Sequence, residues 1–160
     1  MSLHLTIVVP TDKERKNIAT LVALVDEALG NIAWELVFVD DDSPDGTFEE
    51  VTRVGESDPR VCGVLRTHER SLASAVIRGA GEAHGDLVAV MDADLQHDPN
   101  VLREFVRVLD AGEADLGVGS RFMEGGGAPG LSRQRELAST ETNALLRHVT
   151  GVASTDPLSG

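Results

Sequence analysis

Short apolar runs at residues 5–9, 34–39, 61–65, 87–91 and 116–119 alternate with segments of helical periodicity, and no other feature constrains the fold as strongly. The runs mostly lack polar alternation, as strands covered on both faces do. Between the first two, Ile18, Leu21, Val22, Val25, Ala28 and Leu29 form one apolar stripe, with Gly30 as its C-terminal signal. Residues 46–54, 72–83 and 99–111 repeat the helical pattern, the last opening with Asp98 as N-cap and Pro99 at the first helical position. Strands alternating with helices predict an α/β fold whose mostly parallel sheet is flanked by helices. Ligands of such sheets bind at the carboxyl ends of the strands.

Those ends are where the polar residues gather. The first run leads into Pro10-Thr11-Asp12-Lys13-Glu14 and the second into Asp40-Asp41-Asp42-Ser43-Pro44-Asp45-Gly46-Thr47. The fourth leads into Asp92-Ala93-Asp94 and the fifth into Gly119-Ser120-Arg121. On an extended backbone Asp92 and Asp94 project from one face. Two converging carboxylates repel, and oxygen ligands of this kind suit Mg²⁺ or Mn²⁺, with substrate phosphate and water completing the shell. The stretch therefore reads as a metal–diphosphate site. Asp42, Ser43 and Asp45 have a simpler role available, as turn and helix-capping residues.

The chain carries 27 acidic and 14 basic residues, a formal net charge of −13, which argues against a nucleic-acid partner. An anionic ligand would have to be held by metal, backbone amides and a few arginines. At 160 residues the chain has the length of one ordinary domain. Cys62, the sole cysteine, rules out a disulfide framework and is expected to be a buried thiol in the strand at 61–65. The start shows no secretory signal and no apolar run approaches a bilayer span, so a cytoplasmic location is expected. The five histidines lack metal-ligand spacing. Trp34 and the phenylalanines are expected in the core, and Gly79 and Gly81 at close helix packing.

Residues 39–47 and 91–99 resemble the signatures of family 2 glycosyltransferases, most closely the dolichol- or polyprenol-phosphate mannosyltransferase branch. Gly119-Ser120-Arg121, the glycines at 125–127 and the closing Asp156-Pro157-Leu158-Ser159-Gly160 fall in that family's order. The resemblance implies a GT-A type nucleotide-sugar domain over residues 1–160, lacking its C-terminal part. The implied function is metal-dependent transfer of a hexose, mannose in the branch it most resembles, from a nucleotide sugar to a polyprenyl or dolichyl phosphate, with inversion at the anomeric carbon. The donor is GDP-mannose or UDP-glucose, and the acceptor would bring the protein to the cytoplasmic face of a membrane as a peripheral partner.

Residue by residue, Pro10, Glu14, Val39 and Asp41 match positions that hold the nucleoside, with Asp41 facing the base. Asp92, Ala93 and Asp94 match the motif that holds the diphosphate through Mg²⁺ or Mn²⁺, and Gln96 matches a further ligand on the metal side. Asp94 and Arg121 take the catalytic roles, Arg121 beside the donor or acceptor phosphates. Arg133 and Arg135 lie in a helix-like stretch at 132–148 whose family counterpart meets the lipid phosphate. Asp12 stands where the family usually has an aromatic residue, and residues 66–75 replace a Gly-rich loop. Two other readings stay open: a non-catalytic or truncated nucleotide-binding domain of the same fold, and a Mg²⁺-dependent nucleotidyltransferase.

Overall fold

Val8 and Val37 sit side by side, fully buried, in the middle of a parallel sheet. The computed structural model describes residues 3–68 and 70–119. The chain falls into two compact units, Met1–Ala111 and Gly112–Gly160. The first runs β1 (Leu5–Thr11), α1 (Ile18–Leu29), β2 (Trp34–Asp40), α2 (Thr47–Ser57), β3 (Val61–Leu65), α3 (Leu72–Ala80), β4 (Leu87–Val90), α4 (Asn100–Asp110). The strands lie in the order β3-β2-β1-β4, every pairing parallel. Arg121, Arg133, Arg135, the glycines at 125–127, the helix expected at 132–148 and residues 156–160 lie outside the described residues. In the second unit, residues 116–119 form no strand, contrary to expectation.

Two apolar layers hold the sheet. Ile7, Val9, Leu36 and Phe38 meet Ile18, Leu21, Val25 and Leu29 of α1 and Leu102 and Val106 of α4. On the other side Val8, Val37 and Val39 meet Ala75 of α3. Fully burying one such side chain stabilises by roughly 1.5–3 kcal/mol, so β1 and β2, covered on both faces, anchor the fold. The stripe in α1 is buried as the periodicity requires, and Gly30 closes the helix at φ 58°, donating its N–H to the Asp26 carbonyl. The last helix begins one residue later than expected, at Asn100, whose N–H donates to the Asp98 carboxylate at 2.9 Å. The Asp98 side chain thus does the capping that its position predicted.

The edge strands depart from the expectation of two covered faces. Helix α3 packs chiefly on β1 and β2. Val88 and Val90 of β4, in register with Thr6 and Val8, are consequently half-exposed on that side. Cys62 is exposed as well, not buried, on β3, an edge strand of the sheet. Among the described residues, no helix is long and apolar enough to cross a membrane.

The approach of α3 to the sheet depends on Gly79. A Cβ there would lie 2.4 Å from Val8 Cγ1 and 2.9 Å from Val39 Cγ2. Gly81, expected to pack in the same way, faces only carbonyls of its own helix end. Gly79→Ala gains about 1 kcal/mol in helix propensity but must push α3 off two central strands, at about 1–3 kcal/mol. A lower urea midpoint with an unchanged slope is the expected result, and an unchanged midpoint would show that the sheet yields freely.

Candidate functional site

The carboxyl ends of β1, β2 and β4 open on one edge of the sheet, and the loops there are tied together by polar contacts. Asp40, the last residue of β2, is fully buried. Its carboxylate accepts from the Ser43 N–H at 2.9 Å, the Ser43 hydroxyl at 2.7 Å and the Thr11 hydroxyl at 3.0 Å. Three donors satisfy a group that would otherwise be costly to bury. Ser43 Oγ in turn accepts from the Lys13 N–H at 3.0 Å. Thr47 Oγ1 accepts from the Glu14 N–H at 3.0 Å while donating to Asp45 at 2.6 Å. Hydrogen bonds from Thr47 and Arg15 hold the Asp45 carboxyl below its ordinary range. Ser43 and Asp45 therefore serve structural roles, clasping the loop after β2 to the loop after β1. Lys13 and Asp42 adopt positive φ, 62° and 58°, so both loops turn through left-handed residues.

This clasp sets Glu14 in place. Its side chain is partly buried and accepts from the Asn17 amide at 2.6 Å. Burial pushes the Glu14 carboxyl up, the Asn17 bond pulls it down, and the negative charges of Asp94, Asp45 and Asp12 push it up again. Glu14 thus shares the electrostatic field of the residues after β4. Pro10 lies within β1 and is partly exposed.

Strand β4 stops at Val90, earlier than expected, and the chain bends through residues 93–95. The extended geometry assumed for Asp92 and Asp94 therefore does not hold. Their separation from the core comes instead from Ala93, buried between them and packed with Met91 against the α1 side of the sheet. Asp92 is half-exposed and Asp94 exposed. Burial pushes the Asp92 carboxyl up, His97 pulls it down, and the Asp94 charge pushes it up again, so the two carboxylates still act on each other. His97 Nε2 stands 3.9 Å from Asp92. Asp94 accepts the Gln96 N–H at 2.9 Å across Leu95, which holds φ at 62°. A non-glycine residue in that conformation stores about 1–3 kcal/mol of strain, here in the turn that aims Asp94 and Gln96.

Among the described residues no three His, Cys, Asp or Glu side chains form a ready metal cage. Two carboxylates of mutually unfavourable charge are nonetheless what Mg²⁺ or Mn²⁺ uses when phosphate and water supply the remaining ligands. The donor set fits such an ion bound together with a diphosphate.

Asp41, the first residue after β2, was singled out from the sequence; its partner was not. Arg66, the first residue after β3, donates from Nε at 2.7 Å and Nη2 at 2.5 Å to one oxygen of Asp41. The guanidinium is buried and also donates to Ser74 Oγ at 2.7 Å and the Ser71 carbonyl at 3.1 Å. The signal was available: polar residues at strand ends mark such a site, and Arg66 ends β3. Val39, by contrast, points into the core beneath α3, and its carbonyl accepts from Thr11 Oγ1 at 3.3 Å. Only its backbone is near the site edge.

Residues 6–156 match the family model described as glycosyl transferase family 2. The chain is 41% identical over 137 residues to a dolichol-phosphate mannosyltransferase of Pyrococcus furiosus, covering 86% of this chain and 38% of that protein. It is 35% identical over 164 residues to the Saccharomyces cerevisiae dolichol-phosphate mannosyltransferase, covering 100% of this chain and 60% of that protein. The chain thus spans between 38% and 60% of the length of these relatives. Among solved structures it is similar to mannosyltransferase PcManGT from Pyrobaculum calidifontis in complex with GDP-Man and Mn²⁺. That match has 30% identity and a TM-score of 0.57, covering 74% of this chain and 34% of the other. Glucosyl-3-phosphoglycerate synthase from Mycobacterium tuberculosis, in complex with Mn²⁺, UDP and its product, shares the fold. Its TM-score is 0.71 at 22% identity, with 99% of this chain and 55% of that one covered.

Proposed function

The chain belongs to glycosyl transferase family 2, and from that premise we propose that it carries the donor site of an enzyme transferring a hexose from a nucleotide sugar to a polyprenyl or dolichyl phosphate. The observation that carries this reading is the placement of Asp92 and Asp94 directly beyond β4, within the field of Glu14 on the loop after β1. The names of the relatives point to mannose as the sugar, and the GDP-Man and Mn²⁺ complex of a similar enzyme points to a guanine donor and a divalent ion.

In this reading Pro10, Glu14 and the Val39 backbone line the nucleoside, and Asp41 meets the base. Asp92 and Asp94 would hold Mg²⁺ or Mn²⁺ for the diphosphate, with Gln96 beside them. Held there, such an ion would supply the positive charge that neutralises a leaving nucleoside diphosphate, a contribution of several kcal/mol to transition-state stabilisation. Ala93 fixes the spread of the two carboxylates by anchoring the backbone between them in the core. Arg121, Arg133 and Arg135 would bring permanent charge to the donor and acceptor phosphates. A lipid phosphate is already ionised near neutral pH, its second pKa being about 6 by analogy with phosphorylated side chains. Its oxygen can therefore attack the anomeric carbon without a general base, from the face opposite the leaving group, which inverts that carbon. The lipid acceptor makes the enzyme a peripheral visitor to a membrane surface, on its cytoplasmic side.

The test is a product assay with GDP-mannose or UDP-glucose, a polyprenyl phosphate and Mn²⁺. The expected products are a nucleoside diphosphate and an inverted lipid-linked hexose. Release of inorganic diphosphate would replace this reading with nucleotidyl transfer. Metal-dependent donor binding with no turnover would make the chain a nucleotide-binding domain only.

A further inference from the structure

The stretch from Asp86 to Asp110 is one βα unit. It runs along β4, turns through Asp92 and Asp94 at the carboxyl edge of the sheet, and returns along α4. Its two ends therefore meet at the amino edge, and one side chain touches both. His4, the residue before β1, stands with Nε2 3.0 Å from Asp110, the last residue of α4. Its Nδ1 lies 3.6 Å from Asp86, the residue before β4. The backbone beneath is fixed: the His4 N–H donates to the Ala33 carbonyl at 3.0 Å, and its carbonyl accepts from the Leu87 N–H at 2.9 Å. Elsewhere the unit is held by the pairing of β4 with β1 and by Leu102 and Val106 in the core on the α1 side.

A neutral imidazole carries one N–H and one lone pair, so it can donate to one of these carboxylates while turning a lone pair toward the other. The imidazolium donates from both nitrogens and attracts both acids. Other cations of α4 have partners of their own, Arg107 with Glu104 at 2.7 Å and Arg103 with the Ala28 carbonyl at 3.3 Å. The turn before β2 presents uncharged Ala33. The hydrogen bond to Asp110 pushes the His4 imidazole above its ordinary value; burial opposes this, and the charges of Asp110 and Asp86 add to it.

We infer that His4 is a pH-sensitive clasp that closes the base of the unit whose far end carries Asp92 and Asp94. A basic group favoured in the folded state contributes its full stabilisation below its unfolded value and loses it as pH rises through its folded value. The clasp is therefore fully closed in mildly acidic solution and loses one of its two contacts above neutrality, in the range where histidine alone of the unperturbed side chains changes charge. The inference concerns what holds the unit to the sheet, and it stands whatever the loop at the far end binds.

The experiment is urea unfolding of the whole chain between about pH 5.5 and about pH 8.5, with an NMR titration of the His4 ring. Comparison with His4→Gln at each pH cancels the other histidines. The side chains of His4, Asp86 and Asp110 are 30%, 72% and 49% exposed, so each contact is expected to change the unfolding constant by no more than about fivefold. At the acid end the wild type is expected to unfold about two- to tenfold less readily than His4→Gln, and the gap is expected to shrink as pH rises. Asp110→Asn should remove most of the pH-dependent part and Asp86→Asn the smaller remainder. His4→Lys, charged throughout, should carry the acid-side stability to the alkaline end. Hydrogen exchange of the amides at 91–99 reads the far end, and His4→Gln is expected to lower their protection in acid and less so in alkali. A stability gap that does not change with pH, or a His4 ring that titrates at or below the ordinary histidine value, would overturn the clasp. Equal protection of residues 91–99 in wild type and His4→Gln at the acid end would overturn its hold on the unit.

Discussion

Replacing both Asp92 and Asp94 with alanine is expected to lower hexose transfer by at least about a thousandfold while leaving the fold as stable as before, or more so. The two effects have one electrostatic cause. Losing several kcal/mol of leaving-group neutralisation, at about 1.4 kcal/mol per tenfold, gives a fall of that order. The folded state, however, gains little from these charges. Burial pushes the Asp92 carboxyl up and the Asp94 charge adds to it, so at neutral pH the fold holds an ionised group in a place that disfavours it. Glu14 carries the same burden, partly from Asp94. Removing the acids relieves this repulsion, a trade between stability and function that sites of this kind show. Steady-state transfer with Mn²⁺ titration, together with melting curves, checks both halves. Transfer within tenfold of the wild type would remove these carboxylates from the metal site, and a large drop in melting temperature would recast them as structural.

The sequence made the sheet legible through its central strands and obscured it at its edges. An uninterrupted apolar run means two covered faces only when helices cover both, and α3 packs chiefly on β1 and β2. Period-two alternation could have placed Val39 beneath α3, on the same side as Val37, and so reduced its contribution to backbone alone. The acids after β2 were legible as a group but not by role. Asp40, Asp41 and Asp42 are identical side chains in succession, and only three dimensions show one buried, one paired with arginine and one turning the chain. Arg66 escaped because it lies 25 residues from its partner, and the order in which parallel strands pair decides that meeting. The bend at residues 93–95 was invisible too, since an Asp-x-Asp spacing reads as extended although β4 has already ended at Val90 and the turn passes through a positive φ at Leu95.

Asp40 carries the second large effect, and here stability and site fail together. Asp40→Ala removes a fully buried carboxylate that accepts from Ser43 N, Ser43 Oγ and Thr11 Oγ1. Each buried donor left unpaired costs about 1–3 kcal/mol, so a loss of roughly 3–5 kcal/mol is expected once the loops relax to recover some bonds from water. Ser43 is also the acceptor for the Lys13 N–H, and that bond and the Thr47 bond to Glu14 join the two loops. Freeing Ser43 loosens the loop after β1, so nucleotide affinity is expected to fall in the fraction that remains folded. Asp40→Asn is expected to fall between the two, because its carbonyl oxygen still accepts while its NH₂ faces a Ser43 donor. Asp42→Ala is the comparison, since Asp42 is exposed on the same loop. Urea unfolding and nucleotide titration of the three variants separate the effects. A weakened nucleotide site with unchanged stability in Asp40→Ala would place Asp40 on the ligand, whereas loss of both would mark it as the residue that builds the site without touching what binds there.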